Sequence, residues 1–195
     1  VSESFIKNYS YDNVTLTYNY SVNSLDKQHF PDKGVILDIS AGASDLIKGH
    51  IKTGSTRKSY SKDDAGPFSF DRYYTLRANY RQYLTKVNNF TFSFRGDALY
   101  ITDCDSVLAQ NNFFLLGGQV SLNKRSVPVT GFHPNQIPVK AFAGLGTEMD
   151  WEFFKDVHLS LKGNIFAIQE AGREKGYSLI YGYGAEIGYM SIIGP

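Results

Sequence analysis

A chain of 195 residues has room for one domain with a sizeable core. A net charge of +1 argues against nucleic acid as the main partner, since binding phosphate needs a concentrated basic surface, and no run of 18 apolar residues supplies a membrane-crossing helix. The single cysteine, Cys104, rules out an internal disulfide or a thiolate metal cluster, and aromatic residues reach 15%.

Val1 to Tyr11 has no readable pattern. From Asn13 to Ser24 apolar and polar residues alternate, with Val14, Leu16, Tyr18, Tyr20 and Val22 on one side and Thr15, Thr17, Asn19, Ser21 and Asn23 on the other. Period-two alternation marks a two-faced strand. Residues 26–34, with Pro31 and Gly34, read as a turn, and 35–45 as the return strand, with Val35, Leu37, Ile39, Ala41 and Ala43 apolar. Residues 46–67 read as a long polar loop whose basic cluster (Lys48, Lys52, Arg57, Lys58, Lys62) is solvated. Residues 68–84 and 90–101 form the next pair of strands around a short turn at 85–89. Tyr74, Leu76, Ala78, Tyr80, Phe92, Phe94, Ala98 and Tyr100 point out, and Arg77, Arg81, Arg95 and Asp97 point in. Charges on an inner face are costly in a dry sandwich core and acceptable in a watery lumen.

After a long connection at 102–137, residues 138–169 form two strands about a turn at 153–156. In the first, Val139, Ala141, Ala143, Leu145, Met149 and Trp151 share the apolar face, and Glu148 and Asp150 lie opposite. In the second, Val157, Leu159, Leu161, Ile165 and Ala167 are apolar, and His158, Ser160, Lys162 and Asn164 lie opposite. Residues 170–176 are a charged loop, and 177–189 the last strand, whose inner glycines at 182, 184 and 188 predict close backbone approach or room for a loop. Several of these strands exceed the usual five or six residues, and a tilted membrane strand needs about 9–11. Short and long connections alternate, as in outer-membrane barrels with short periplasmic turns and long outer loops. The expected fold is therefore all-β: an antiparallel transmembrane β-barrel in an outer membrane, with residues 1–195 supplying about seven strands. An odd strand count, a start at Val1 and a stop in a turn at Gly194-Pro195 read as a fragment of a larger barrel.

Catalytic signals are weak. Gly42-Ala43-Ser44-Asp45-Leu46 comes nearest to a Gly-x-Ser-x-Gly elbow but lacks its last glycine, and no Asp-Gly pair occurs. His29, His50, His133 and His158 are scattered. No catalytic residue, metal site or cofactor is expected within the chain.

Residues 146–151 (GTEMDW), 154–159 (FKDVHL), 165–171 (IFAIQEA) and 188–195 (GYMSIIGP) resemble the late barrel strands of patatin-like phospholipases from Bacteroidetes, whose C-terminal barrel is related to the Omp85 surface-antigen superfamily. Phe30-Pro31-Asp32-Lys33-Gly34 is similar to the FPxxG turn of that superfamily, and Phe113 to Gly118 to the segment opening its inward-folded loop. The resemblance implies a 16-stranded parent barrel, a loop folding inward at about 102–137, and an Arg-Gly-aromatic motif anchoring that loop. Here Gly131-Phe132 match but Thr130 replaces the arginine. The loop-anchor candidates are Gly117, Gly118, Gly131 and Phe132, with Arg125 as the substitute cation and Glu148 or Asp150 as its partner.

By the same resemblance the fragment is the outer-membrane anchor or translocation domain of an upstream patatin-type lipid acyl hydrolase in a Gram-negative bacterium. The implied partners are the lipid bilayer and that upstream patatin-like domain, with a homodimer also allowed and no nucleic acid. The alternative is an Omp85 assembly or secretion barrel without hydrolase. A passive pore or adhesin and a soluble lipid-binding barrel rank below both, the last because Arg77, Arg81, Arg95, Asp97, Glu148 and Glu186 point inward. Arginine at Leu161, on the lipid face, is expected to harm folding far more than arginine at Ser160, on the lumen face.

Overall fold

The computed structural model describes residues 6–53, 56–60, 72–84, 86–102, 113–118, 126–171 and 176–189. Their architecture is one sheet of ten strands: β1 (Ile6–Asn23), β2 (Gly34–Thr53), β3 (Thr56–Tyr60), β4 (Tyr73–Tyr83), β5 (Phe90–Ile101), β6 (Phe114–Leu116), β7 (Ser126–Val127), β8 (Ile137–Phe154), β9 (Val157–Glu170) and β10 (Ser178–Tyr189). Seven long strands form an antiparallel meander in the order β1-β2-β4-β5-β8-β9-β10. The sheet is open, since β1 and β10 each pair on one side among the described residues.

The meander agrees with the sequence reading, and three differences have physical causes. β1 begins at Ile6, inside the unread opening segment, because its partner β2 runs on to Thr53. Residues 46–53 and 56–60 are therefore strands where a polar loop was expected, with β3 folding back on β2 as a hairpin. Their polar composition hides them from any pattern that relies on an apolar face. The long connection also contains β6 and β7, a short parallel pair, with β6 laid on the upper edge of β8 beyond the end of β5.

Register places the alternating residues in continuous rows. Ala41 pairs Leu76, Leu76 pairs Tyr100, and Tyr100 pairs Ala141. Met149 lies between Phe92 and Leu161, and Leu161 meets Ala185. These rows build one outward apolar belt across all seven long strands. Leu16 is 78% exposed, Leu145 65% and Tyr183 84%, and no protein element covers them among the described residues. Such a contiguous exposed surface is far beyond the apolar patches of ordinary soluble domains and needs a nonaqueous neighbour. Aromatic rings collect at the short-turn end, where Trp151 stacks on Phe90 at 5.6 Å and continues through Phe153 to Phe154. Tyr74, Tyr100 and Tyr177 mark the outer side near the other end.

The core lies on the opposite, inner face. Leu99 and Ile101 of β5, Phe142 of β8, and Phe166 and Ile168 of β9 pack against Phe113, Leu116, Val127 and Val129 from the long connection. Gly144 leaves the space into which the Phe166 ring fits, and Phe142 meets that ring edge-on at 5.9 Å. Val139 belongs to this core, not to the outer face expected for it. A bulge between Val139 and Ala141 adds one residue, and one residue inverts facing in a period-two strand.

The lower inner face is polar. Ser160 is 5% exposed and donates to Asp150 at 2.7 Å, so arginine there would bury a charge instead of meeting water, and it is not the mild substitution expected. Thr17, exposed on the inner face of β1, is the appropriate comparison. Arginine at Leu161 should cost about 2–4 kcal/mol of folding free energy in lipid if it lies near mid-membrane, and arginine at Thr17 well under half of that. Denaturant titration in vesicles measures both, and equal losses would refute the facing.

Candidate functional site

The candidate site is the contact between the inward segment, residues 113–118 and 126–136, and the wall made by β5, β8, β9 and β10. The segment builds its own frame first. Gly117 N–H donates to Val127 C=O, Gly118 N–H to Phe132 C=O, and Val129 N–H to Gly118 C=O, all at 2.9–3.0 Å. Gly117 and Gly118 have φ of +126° and +85°, a backbone open to glycine and strained for other residues. A side chain at Gly117 would also strike the His133 carbonyl.

The wall reaches the segment through main-chain carbonyls. Arg95 Nη2 donates to Pro128 O at 2.6 Å, and Asn164 Nδ2 donates to Thr130 O at 3.3 Å. Gly131, with φ of +90°, lies so close to β10 that a Cβ on it would sit 3.2 Å from Gly182 Cα, and a Cβ on Gly182 would collide with the Thr130 carbonyl. Thr130 Cγ2 occupies the space over Gly184. The inner glycines of the last strand thus do what their pattern suggested: they admit a second backbone. Phe132 is half-buried against the apolar core.

Arg95 is oriented from three sides. Its Nε lies 2.5 Å from Asp97 Oδ2, its guanidinium stands 5.8 Å over the Phe166 ring, and its Nη2 holds the segment. Asp97 also accepts from Asn79 at 2.5 Å. The other end of the segment has a parallel contact, with Arg77 5.8 Å over the Phe114 ring. Below Thr130 is a cavity of about 40 Å³ lined by Arg81, Arg95, Glu148, Lys162 and Asn164. That volume holds a water molecule.

The predicted residues divide as follows. Gly117, Gly118, Gly131 and Phe132 come together in the segment and its wall contact. Arg125 lies outside the described residues. Glu148 faces Lys162 at 3.6 Å, and Lys162 also holds Glu186 at 2.5 Å. Asp150 accepts from Ser160 and pairs with His158 Nδ1 at 2.7 Å. Both carboxylates therefore have wall partners of their own. Among the described residues, the wall cations that touch the segment are Arg95, at the Pro128 carbonyl, and Arg77, over the Phe114 ring, both of which sequence reasoning placed on the inner face without assigning them a target. A backbone carbonyl has no residue signature, so the only advance signal was the coincidence of an inward arginine with an inward glycine row.

Among the described residues, the nearest approach to a hydrolytic triad is Asp150, His158 and Ser160. Ser160 donates to the carboxylate, not to the imidazole, so the nucleophile-to-base hydrogen bond of a triad is missing. Ser44 sits within β2, where its hydroxyl meets Thr15 Oγ1 at 2.8 Å, and no strand-to-helix elbow surrounds it. Among the described residues no group of three His, Cys, Asp or Glu could hold a metal ion.

A long meander with an apolar outer belt and a segment folded onto its polar inner face defines an outer-membrane barrel wall. The model of the Omp85 superfamily domain matches residues 3–195, and the chain belongs to that family. Domains of this superfamily are non-catalytic barrels and are generally outer-membrane proteins of Gram-negative bacteria. No curated protein matches the chain.

Replacing Arg95 with Ala leaves buried Asp97 without this cation, though still bonded to Asn79, and removes the Pro128 contact. Breaking a buried pair from one side costs about 3–5 kcal/mol. Limited proteolysis of the folded protein should then cut within 113–136 much faster than in wild type. Unchanged cleavage would show that the segment is held without Arg95.

Proposed function

We propose that this barrel wall is the membrane anchor of a patatin-type lipid acyl hydrolase encoded upstream of Val1. The support is the sequence resemblance at 146–171 and 182–195, together with the departure from the Arg-Gly-aromatic motif at Thr130. In this reading Gly117, Gly118, Gly131 and Phe132 shape the anchored segment, and the anchoring cation comes from the wall. The barrel keeps the hydrolase beside lipid, its substrate class, and the bilayer and the upstream domain are its partners.

The second reading is an assembly or secretion barrel without hydrolase. Membership of the superfamily is compatible with both readings. The two are separated by the gene upstream of Val1. An in-frame Gly-x-Ser-x-Gly elbow with a later Asp-Gly is expected, together with release of fatty acid from phospholipid that is lost when the elbow serine becomes alanine. A run of small linking domains without an elbow would overturn the hydrolase reading in favour of the assembly barrel.

A further inference from the structure

The turn at 24–33 is far more built than a strand connection requires. Asp26 accepts from the backbone N–H groups of Asp32 and Lys33 at 3.1 and 3.2 Å, and Ser24 exchanges hydrogen bonds with Val35. Burial tends to raise the Asp26 pKa, but the backbone N–H groups of Lys33, Asp32 and Asp26 itself, with the charge of Lys27, hold it below the usual aspartate value. Phe30 adopts φ of +46°, unusual for a bulky residue, and Pro31 is buried. Such a conformation persists only when its surroundings hold it.

Those surroundings lie across the sheet. The Phe30 ring stacks on His158 of β9, with centroids 3.9 Å apart and planes at 11°. Its tip fills the place of a side chain at Gly188 of β10, where a Cβ would lie 2.6 Å from Cζ. On the way, Asp32 lies 3.7 Å from Lys86 of the β4–β5 turn, and Lys86 pairs with Glu152 at the end of β8. The Glu152 hydrogen bond is the main cause of a raised Lys86 pKa. Between β2 and β9 stand three strands, about 20 Å along a flat sheet at the usual strand spacing. The turn thus runs past the β4–β5 turn and the end of β8 and seats its ring on the inner face of β9 and β10.

The inward segment covers the inner face of β5, β8, β9 and β10. Beside it, along β1, β2 and β4, remains a space of about 600 Å³ of mixed lining, with Asn19, Ser21, Asp38, Arg77 and Asn79 beside Tyr20, Ile39 and Phe114. We infer that the 24–33 turn is a strap closing the short-turn mouth of that space, with Phe30 in the His158–Gly188 seat as its latch. The inward segment narrows one half of the lumen, and the strap blocks the exit from the other half to hydrated ions. The inference rests on the barrel reading and not on the hydrolase.

The test is planar-bilayer conductance of the full-length protein carrying Phe30→Ala, and separately Gly188→Ala, which fills the seat and leaves the turn sequence intact. Each should raise single-channel conductance severalfold over wild type while the heat-modifiable gel shift of a folded barrel is kept. Unchanged conductance in both folded variants would overturn the strap, most sharply if Arg95→Ala alone raised it. A wild-type protein with no heat-modifiable shift would instead overturn the barrel reading on which the strap depends.

Discussion

Everything in this structure depends on the strand ladder that satisfies the backbone while its side chains separate two environments. In hydrocarbon no water is available for an unpaired N–H or C=O, so a spanning chain must close its hydrogen bonds internally, as a helix or as paired strands. Seven long antiparallel strands do this here, with a few bulges in their register. Once the ladder is fixed, alternation leaves no choice about the faces. The outer rows become a belt of Leu, Ile, Ala, Phe and Tyr, and the inner rows are left to accept charges, glycines and a folded-in segment.

The inner face solves a second problem. Arg95, Asp97, Lys162, Glu148 and Glu186 would be expensive in a dry core, and they are arranged as mutually compensating pairs on the wall. One of them, Arg95, has a donor to spare and directs it at a carbonyl of the inward segment. Above this polar band the wall turns apolar through Leu99, Phe142, Phe166 and Ile168, and the segment answers with Leu116, Val127 and Val129. Burial of several such side chains, each worth about 1.5–3 kcal/mol, supplies the adhesion, while the hydrogen bonds fix position. Apolar contact and wall donors thus hold the segment together.

How much of this was legible follows from where the information resides. The long strands and the facing of Leu16, Leu76, Leu161 and Tyr183 were readable because period two is local. The facing of Val139 was not, since a bulge of one residue inverts it and bulges leave no reliable local mark. The polar strands at 46–53 and 56–60 were missed for want of an apolar face. The target of Arg95 is a main-chain oxygen, and the seat of Phe30 is assembled from β9 and β10 across the sheet, so neither pairing has a signature within one stretch of chain. The glycines of β10 were the exception: a missing side chain on an inner face signals that something else comes close.

The central claim is that the outer belt faces lipid. Trp151 is the chain's one tryptophan and lies on that face beside Phe90. In vesicles of the reconstituted protein, with any tryptophan outside this chain replaced by phenylalanine, its fluorescence should be quenched strongly by lipids brominated near the headgroup and only weakly by aqueous acrylamide. Free quenching by acrylamide with no effect of brominated lipid would place the belt in water and contradict the account.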